Sequence, residues 1–441
     1  MNYFRKILYF IIFFIPFSFA LNLQRDADVA FLRLLIALTF TFFIFFIFYQ
    51  NKELYLERFK NKQTYLFALF FLWTFLSSFW AMNPVWSIRK FLFFITIIPV
   101  YFLTIYLIDS RDRLNKILKY FILGGFIASI IGVLQFFSQF IFSLDKMYNF
   151  WAYNVSMFLY GQNFGSVVIQ NQSWFVNIGG KDFFRAISLF PDPHTFALYL
   201  GLVTPLSIGF FLYNNKKNKV LFSVQLFFML FAVLLTFSRG AYVGFLVSSL
   251  FISIFYFKYF KLNLRVNKKA LASIFSGLVI VLFLLMNSVF GERLMSSFSL
   301  SDVSNTGRIQ IWSISGSVFL DNPFFGVGLG NLPIFFDPTA SVKSPINAHN
   351  TFLDISSELG LLGLVLFFGF LYFVFKNLKY RKDKFNFLRF GALWSFIWYL
   401  IHSFFETSIF SVPVLTAFSF MLAIAVILGK TIKGQVIRVD K

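Results

Sequence analysis

The chain has no cysteine among its 441 residues, which excludes disulfides, thiolate catalysis, iron–sulfur clusters and cysteine-ligated zinc. Charge is scarce as well: Asp, Glu, Lys and Arg make up 13% of residues, against about 25% in an ordinary soluble domain. There are only three histidines and 18 acids. No three-ligand spacing is found among them, so no catalytic metal is expected, and no organic cofactor either. Ser-His-Asp spacing, a P-loop and a Rossmann fingerprint are also missing. The excess lies in apolar surface, with 59% hydrophobic residues and 73 Phe. A water-soluble core cannot hide that much, and a bilayer can.

A hydrocarbon core about 30 Å thick needs about 20 apolar residues of helix to cross it. Runs of this kind fall at 7–22, 30–48, 65–82, 91–108, 117–138, 195–213, 220–237, 240–257, 270–288, 351–375, 386–403 and 409–429. They are long and do not alternate, so they are helices and not barrel strands. The expected fold is therefore all-α: a single polytopic membrane domain over 1–441 with about 12 transmembrane helices. The first run has a basic start (Arg5, Lys6) and Ala20 near its end, as a signal peptide would. With eleven more runs following, it reads as a retained span.

Charge sets the orientation. With the first residues cytoplasmic, that side carries 28 of the 39 Lys and Arg but only 6 of the 18 acids. Every connection then obeys the positive-inside rule. The net charge of +21 is thus a topology signal that favours anionic membrane lipids. It is no nucleic-acid footprint, because base-reading and stacking motifs are lacking. Both termini are expected to be cytoplasmic.

Only two connections are long, at 139–194 and 289–350. Both fall on the outer side, as do His194, His349 and His402. Cations there are few: Arg185 before Phe190-Pro191-Asp192-Pro193-His194, Ser238-Arg239-Gly240 between two spans, Gly307-Arg308 with Trp312 a turn later, and Arg89-Lys90 at a span's outer start. Snorkelling to lipid phosphates is one reading, and it suits Arg89 or Arg33 well. An anionic ligand is the other, since arginine reads phosphate bidentately. Asn350, Asp354 and Glu358 are spaced by four on one helix face behind His349. That histidine is either an interfacial packing residue or a general base. Gly360 and Gly363 would let a neighbouring helix approach. Gly326-Val327-Gly328-Leu329-Gly330-Asn331 reads as a tight turn, not a phosphate loop. His402 and Glu406, four apart, read as a hydrogen-bonded helix end.

In their order and topological places these stretches resemble the bacterial O-antigen ligase and polymerase superfamily. The match runs from about Arg185 to Gly363, with Asp321-Asn322-Pro323 ahead of the glycine turn; the first five spans match only as hydrophobic scaffold. The resemblance implies a metal-independent, inverting glycosyltransferase of the C type. Such enzymes move a glycan from undecaprenyl diphosphate to a hydroxyl on lipid A–core, on a growing chain or on a protein. It implies His349 as activator of the acceptor, with Arg239, Arg308 and Arg185 holding the diphosphate. Lys90, Arg89, Asn350 and Glu358 are candidate substrate contacts. His194 is a departure, because relatives carry Asn after the Asp-Pro. O-antigen ligase is the leading expectation and polymerase the alternative. A flippase or transporter of lipid-linked glycans is the alternative of another class, although the internal repeats usual there are not evident. A reporter fused after Lys217 is expected to be active in the cytoplasm and one after Lys181 in the periplasm; the opposite pattern would invert the topology and remove the site.

Overall fold

The computed structural model describes residues 1–24, 27–50, 56–170, 172–214, 219–263, 303–337, 339–340, 347–407 and 411–430. In chain order the main elements are α1 (Asn2–Phe14), β1 (Ala20–Gln24), β2 (Ala27–Ala30), α2 (Phe31–Tyr49), α3 (Lys62–Leu76), α4 (Pro84–Ile95), α5 (Pro99–Leu107) and α6 (Arg111–Phe142). Then come α7 (Leu144–Asn149), α8 (Met157–Ile169), β3 (Phe175–Ile178), β4 (Lys181–Phe184), α9 (Pro193–Tyr213), α10 (Lys219–Leu235) and α11 (Arg239–Asn263). The last are α12 (Val303–Asp321), α13 (Pro333–Phe336), α14 (Thr351–Leu378), α15 (Asn386–His402) and α16 (Val412–Lys430).

Seven helical stretches among the described residues are long and apolar enough to cross a bilayer. This is a multi-pass membrane protein. Four more expected spans fall on the shorter helices α1, α3, α10 and α15, and 270–288 lies outside the described residues. The count of twelve therefore stays an expectation. The most enclosed spans are α9 and α16, which pack with α15 at the centre of the molecule.

Helix starts follow the capping residues. Asn61, Asn83, Ser110, Asp192 and Asn350 each accept a backbone N–H of the first turn, satisfying groups that a helix cannot pair internally. Two expected spans differ in outline. The run 7–22 ends as an α-helix at Phe14, because Pro16 sits in a short 3-10 turn, and the chain then forms the antiparallel hairpin β1–β2. The run 91–108 belongs to two helices, with Pro99, which has no N–H to give, opening the second.

The long connection 139–194 is folded. It contains α7, a π-helical turn Phe150–Ser156, α8 and the hairpin β3–β4, gathered on an apolar cluster with Trp151, Trp174 and Phe184. Two glutamines of α6 hold its return to the membrane. Gln139 bonds both the N–H and the carbonyl of Phe184 (2.8 and 3.0 Å). Gln135 accepts from Ile187 N (2.8 Å) and donates to Arg185 O (3.0 Å).

Helix α14 is broken at Gly360 (φ 67°, ψ −167°). The expectation of a close helix at Gly360 and Gly363 is corrected: the backbone of the 322–331 turn makes the approach. Val327 N and Gly328 N donate to Ser357 O and Glu358 O (both 2.9 Å), and Leu361 N donates to Pro323 O (2.7 Å). A broken helix in a membrane must find such partners for its freed groups. The glycine stretch is thus the tight turn expected, with those two amides already committed. A Cβ on Gly360 would lie 2.3 Å from Phe324 O, in a conformation that only glycine adopts readily. Gly360→Ala should lower the melting temperature in detergent, at a cost of about 1–3 kcal/mol or more, while Gly369→Ala, whose Cβ would be in ordinary contact with Leu66, should not. Equal melting temperatures would show that the break is not needed.

Candidate active site

A cavity of about 840 Å³ opens among the described residues. Elements distant in sequence converge on it: Arg308 from α12, His349 from the turn before α14, Glu406 and Thr407 after α15, Asp192 and His194 at the start of α9, and Arg33 on α2. Leu159, Phe164, Val167 and Val412 supply an apolar wall.

His349 is held in place from several sides. Its φ is +47°, a left-handed conformation uncommon outside glycine, and such backbone persists only where neighbours over-determine it. Asn347 Oδ1 accepts from His349 N (2.8 Å). Trp312 Nε1 on α12 donates to Ala348 O (2.9 Å), and Ala348 N donates to Asp354 Oδ1 (2.9 Å). Asp354 also accepts from the Thr407 hydroxyl. Thr351 N donates to Ser403 O (2.9 Å), tying the start of α14 to the end of α15.

The ring of His349 meets a carboxylate, with Nδ1 3.0 Å from Glu406 Oε1. A carboxylate only accepts, so Nδ1 carries the proton and Nε2 keeps the basic lone pair. Arg308 Nη2 lies 3.9 Å from the other oxygen, Oε2. The Glu406 side chain is 10% exposed and that of His349 is 39% exposed. The negative charge of Glu406 raises the His349 pKa above the usual 6.5, outweighing burial, and their hydrogen bond adds to the rise. Burial alone would raise the Glu406 pKa, but His349 above all, then His194 and Arg308, hold it well below the ordinary carboxylate range. Asp192 caps α9 through His194 N and Thr195 N (2.8 and 2.9 Å); burial, followed by the nearby Glu406, pushes its pKa up to about 6.

Ser238 joins the other two histidines. Its hydroxyl lies 2.9 Å from His194 Nδ1 and 3.4 Å from His402 Nε2. A Cβ on Gly240, two residues on, would lie 2.9 Å from both the His402 ring and the Phe405 Cβ. The Ser-Arg-Gly stretch therefore locks α11 onto α15, just ahead of Glu406.

The residues singled out from the sequence divide accordingly. His349 and Arg308 share the cavity wall. Arg239, 8% exposed at the first turn of α11, is not among the lining residues. Arg185, 2% exposed, donates to Thr236 O (2.6 Å) and Ser173 O (2.7 Å), so it pins the first long connection to the end of α10. Lys90 and Glu358 are spent on one another at 2.7 Å. Asn350 caps α14, and Arg89 is exposed on α4. Sequence reasoning paired Glu406 with His402 and so missed its partner His349; Arg33 was left as a snorkelling candidate. No group of three metal-binding side chains gathers among the described residues.

Residues 224–368 match the O-antigen ligase family model, a segment that contains Arg239, Arg308, the glycine turn and His349. This stretch of the chain is similar to the O-antigen ligase family. The chain is also 25% identical over 374 residues to a "ComP-specific O-oligosaccharyltransferase" of Acinetobacter baylyi (strain ATCC 33305 / BD413 / ADP1). That alignment takes in 80% of this chain and 60% of the relative. Glu406, Asp192 and Arg33 all lie outside the segment matched by the ligase family model.

The Glu406 charge sets where His349 titrates, and the sign of the consequence is fixed. With His349 proposed as a base, which works deprotonated, the rate should fall with decreasing pH through a His349 pKa above 6.5. Glu406→Gln removes the cause of the rise and leaves burial to lower the pKa. The acid limb of kcat/KM should then move to lower pH, with a smaller plateau. An unmoved limb would separate the titrating group from this pair.

Proposed function

We propose that this protein transfers a glycan from a polyprenyl diphosphate carrier, in bacteria undecaprenyl diphosphate, to a hydroxyl presented at the periplasmic face of the inner membrane. The observation that carries the reading is the His349–Glu406 pair on the wall of a largely apolar cavity beside Arg308. The acceptor O–H would give its proton to His349 Nε2 as its oxygen attacks the anomeric carbon. The bond from that carbon to the diphosphate oxygen breaks, and the electron pair leaves with the diphosphate. A single displacement of this kind inverts the anomeric configuration. Glu406 stabilises the imidazolium as it forms, and Arg308 is in place for the charge developing on the leaving group. Positive charge fixed in advance takes the role a divalent cation would otherwise have. The apolar wall of Leu159, Phe164 and Val167 suits the first isoprene units.

The acceptor has two readings. The family model favours a sugar hydroxyl, as on lipid A–core or on a growing glycan. The Acinetobacter relative is an O-oligosaccharyltransferase specific for ComP, which favours a hydroxyl on a protein. The same base serves either. A deletion strain that accumulates lipid-linked polymer, with surface polysaccharide lost, supports the first; loss of glycan from proteins alone supports the second.

General-base help is worth about 10²–10⁴-fold. His349→Ala should lower kcat by about that factor with affinity for the lipid-linked donor kept, whereas His402→Ala, away from the cavity wall, should cost much less through chemistry. Turnover near the wild-type rate in His349→Ala would make His349 a packing residue and end this reading.

A further inference from the structure

Two arginines line the reaction cavity. Arg308 is the one the proposed chemistry uses. The other is Arg33, in the first turn of α2, on a span that precedes the segment matched by the family model.

Arg33 is held as a ligand-binding group would be. Its guanidinium carbon sits 4.7 Å from the centroid of the Phe93 ring. Its Nε donates to Thr96 Oγ1 (2.9 Å), while the Thr96 hydroxyl donates its own proton to Phe93 O (2.8 Å). Thr96 ends α4 at the interruption before Pro99. The break in that span thus places a hydroxyl acceptor against the Arg33 side chain. With Nε occupied and the plane fixed by the ring, the two terminal NH₂ groups form a preset fork, the geometry that suits a phosphate.

The charge of this fork is not matched by the acids of the same cavity. Asp28 is taken up by the backbone N–H groups of Asn163 and Phe164 (2.9 and 3.3 Å). Asp192 caps α9. Glu406 faces His349 and Arg308. No ion pair to Arg33 is found among the described residues. A cation near a bilayer and away from water carries a large cost unless an anion joins it.

We propose that Arg33 is a second phosphate-holding residue of this cavity, gripping the diphosphate of the lipid carrier together with Arg308. The inference rests on the transferase reading and deepens it. It moves part of the expected diphosphate site from Arg239 and Arg185 to the N-terminal part of the chain. It also gives the interruption between α4 and α5 a purpose, namely to orient a positioning hydroxyl. Arg33 touches substrate through the leaving group and takes no proton, so its loss should act on donor binding more than on the chemical step.

The test uses the full chain in nanodiscs, with undecaprenyl diphosphate as inhibitor and the uncharged undecaprenol as its control. For wild type, the diphosphate should inhibit far better than the alcohol. In Arg33→Gln the inhibition constant and the donor KM should rise together by about 10–100-fold, the size of a lost charge-assisted contact, with kcat at saturating donor within a few-fold of wild type. Arg33→Lys should recover part of the loss. Thr96→Val, which keeps the charge but frees the fork, should weaken inhibition by a smaller factor and guards against a misfolded Arg33 variant. Unchanged inhibition in both Arg33→Gln and Thr96→Val would overturn the proposal and make Arg33 a snorkelling cation on bulk lipid. A raised donor KM with unchanged inhibition by undecaprenyl diphosphate would also overturn it, placing the contact on an anionic sugar. Either result leaves the transferase reading standing if His349→Ala remains inactive. Wild type that binds undecaprenyl diphosphate no better than undecaprenol would take both down.

Discussion

The arrangement around the cavity of this protein depends on one buried carboxylate. Glu406 sits just past the end of α15 with 10% of its side chain exposed. A charge so placed is tolerable only with close partners. His349 and Arg308 are those partners, and they arrive from two other elements. To bring His349 there, the backbone before α14 enters the left-handed region, and Trp312, Asp354, Asn347 and Ser403 hold it. To bring α11 beside α15, the chain has glycine at position 240. The strain and the small residues around this point therefore follow from one electrostatic requirement.

A second regularity is the interrupted helix. Spans α4–α5 and α14 and the helix α8 of the first long connection are each broken, at Thr96–Ile98, Gly360 and Gly161. In lipid a break leaves backbone groups that must be satisfied by protein. Here the partners carry meaning. The break in α14 receives the glycine turn, the break in α8 exposes N–H groups that Asp28 accepts, and the break after α4 frees Thr96 for Arg33. The scaffold gives up internal helix bonds where other segments need to be fixed.

How much of this could be read from the sequence follows from the range of each signal. Apolar runs are local, so the positions of the spanning helices were legible, while the helices and hairpins of the connections were not. Capping residues such as Asn83, Ser110 and Asp192 are local too. Pro99 could have warned of a divided span, but the apolar run continues across it. Nothing at Gly360 distinguished a break from a packing glycine, because the partner backbone lies more than 30 residues away. His349 stood out through its neighbours in sequence, and it does lie on the cavity wall. Its partner Glu406 is 57 residues on, and the nearer His402 was a more obvious pairing. Arg33 was equally obscure, since Thr96 is 63 residues distant. Two of the cations expected to meet a ligand, Lys90 and Arg185, hold Glu358 and two carbonyls instead.

The central claim is that Glu406 serves the chemistry only by way of His349. A double-mutant cycle on the single-turnover rate tests it most directly, because it isolates the coupling between two groups. Glu406→Gln should slow wild-type transfer at neutral pH, yet add nothing once His349 is alanine, so that the double variant and His349→Ala react at the same rate. Independent, multiplying losses would contradict the account, showing that Glu406 acts on the substrate or the fold without the histidine.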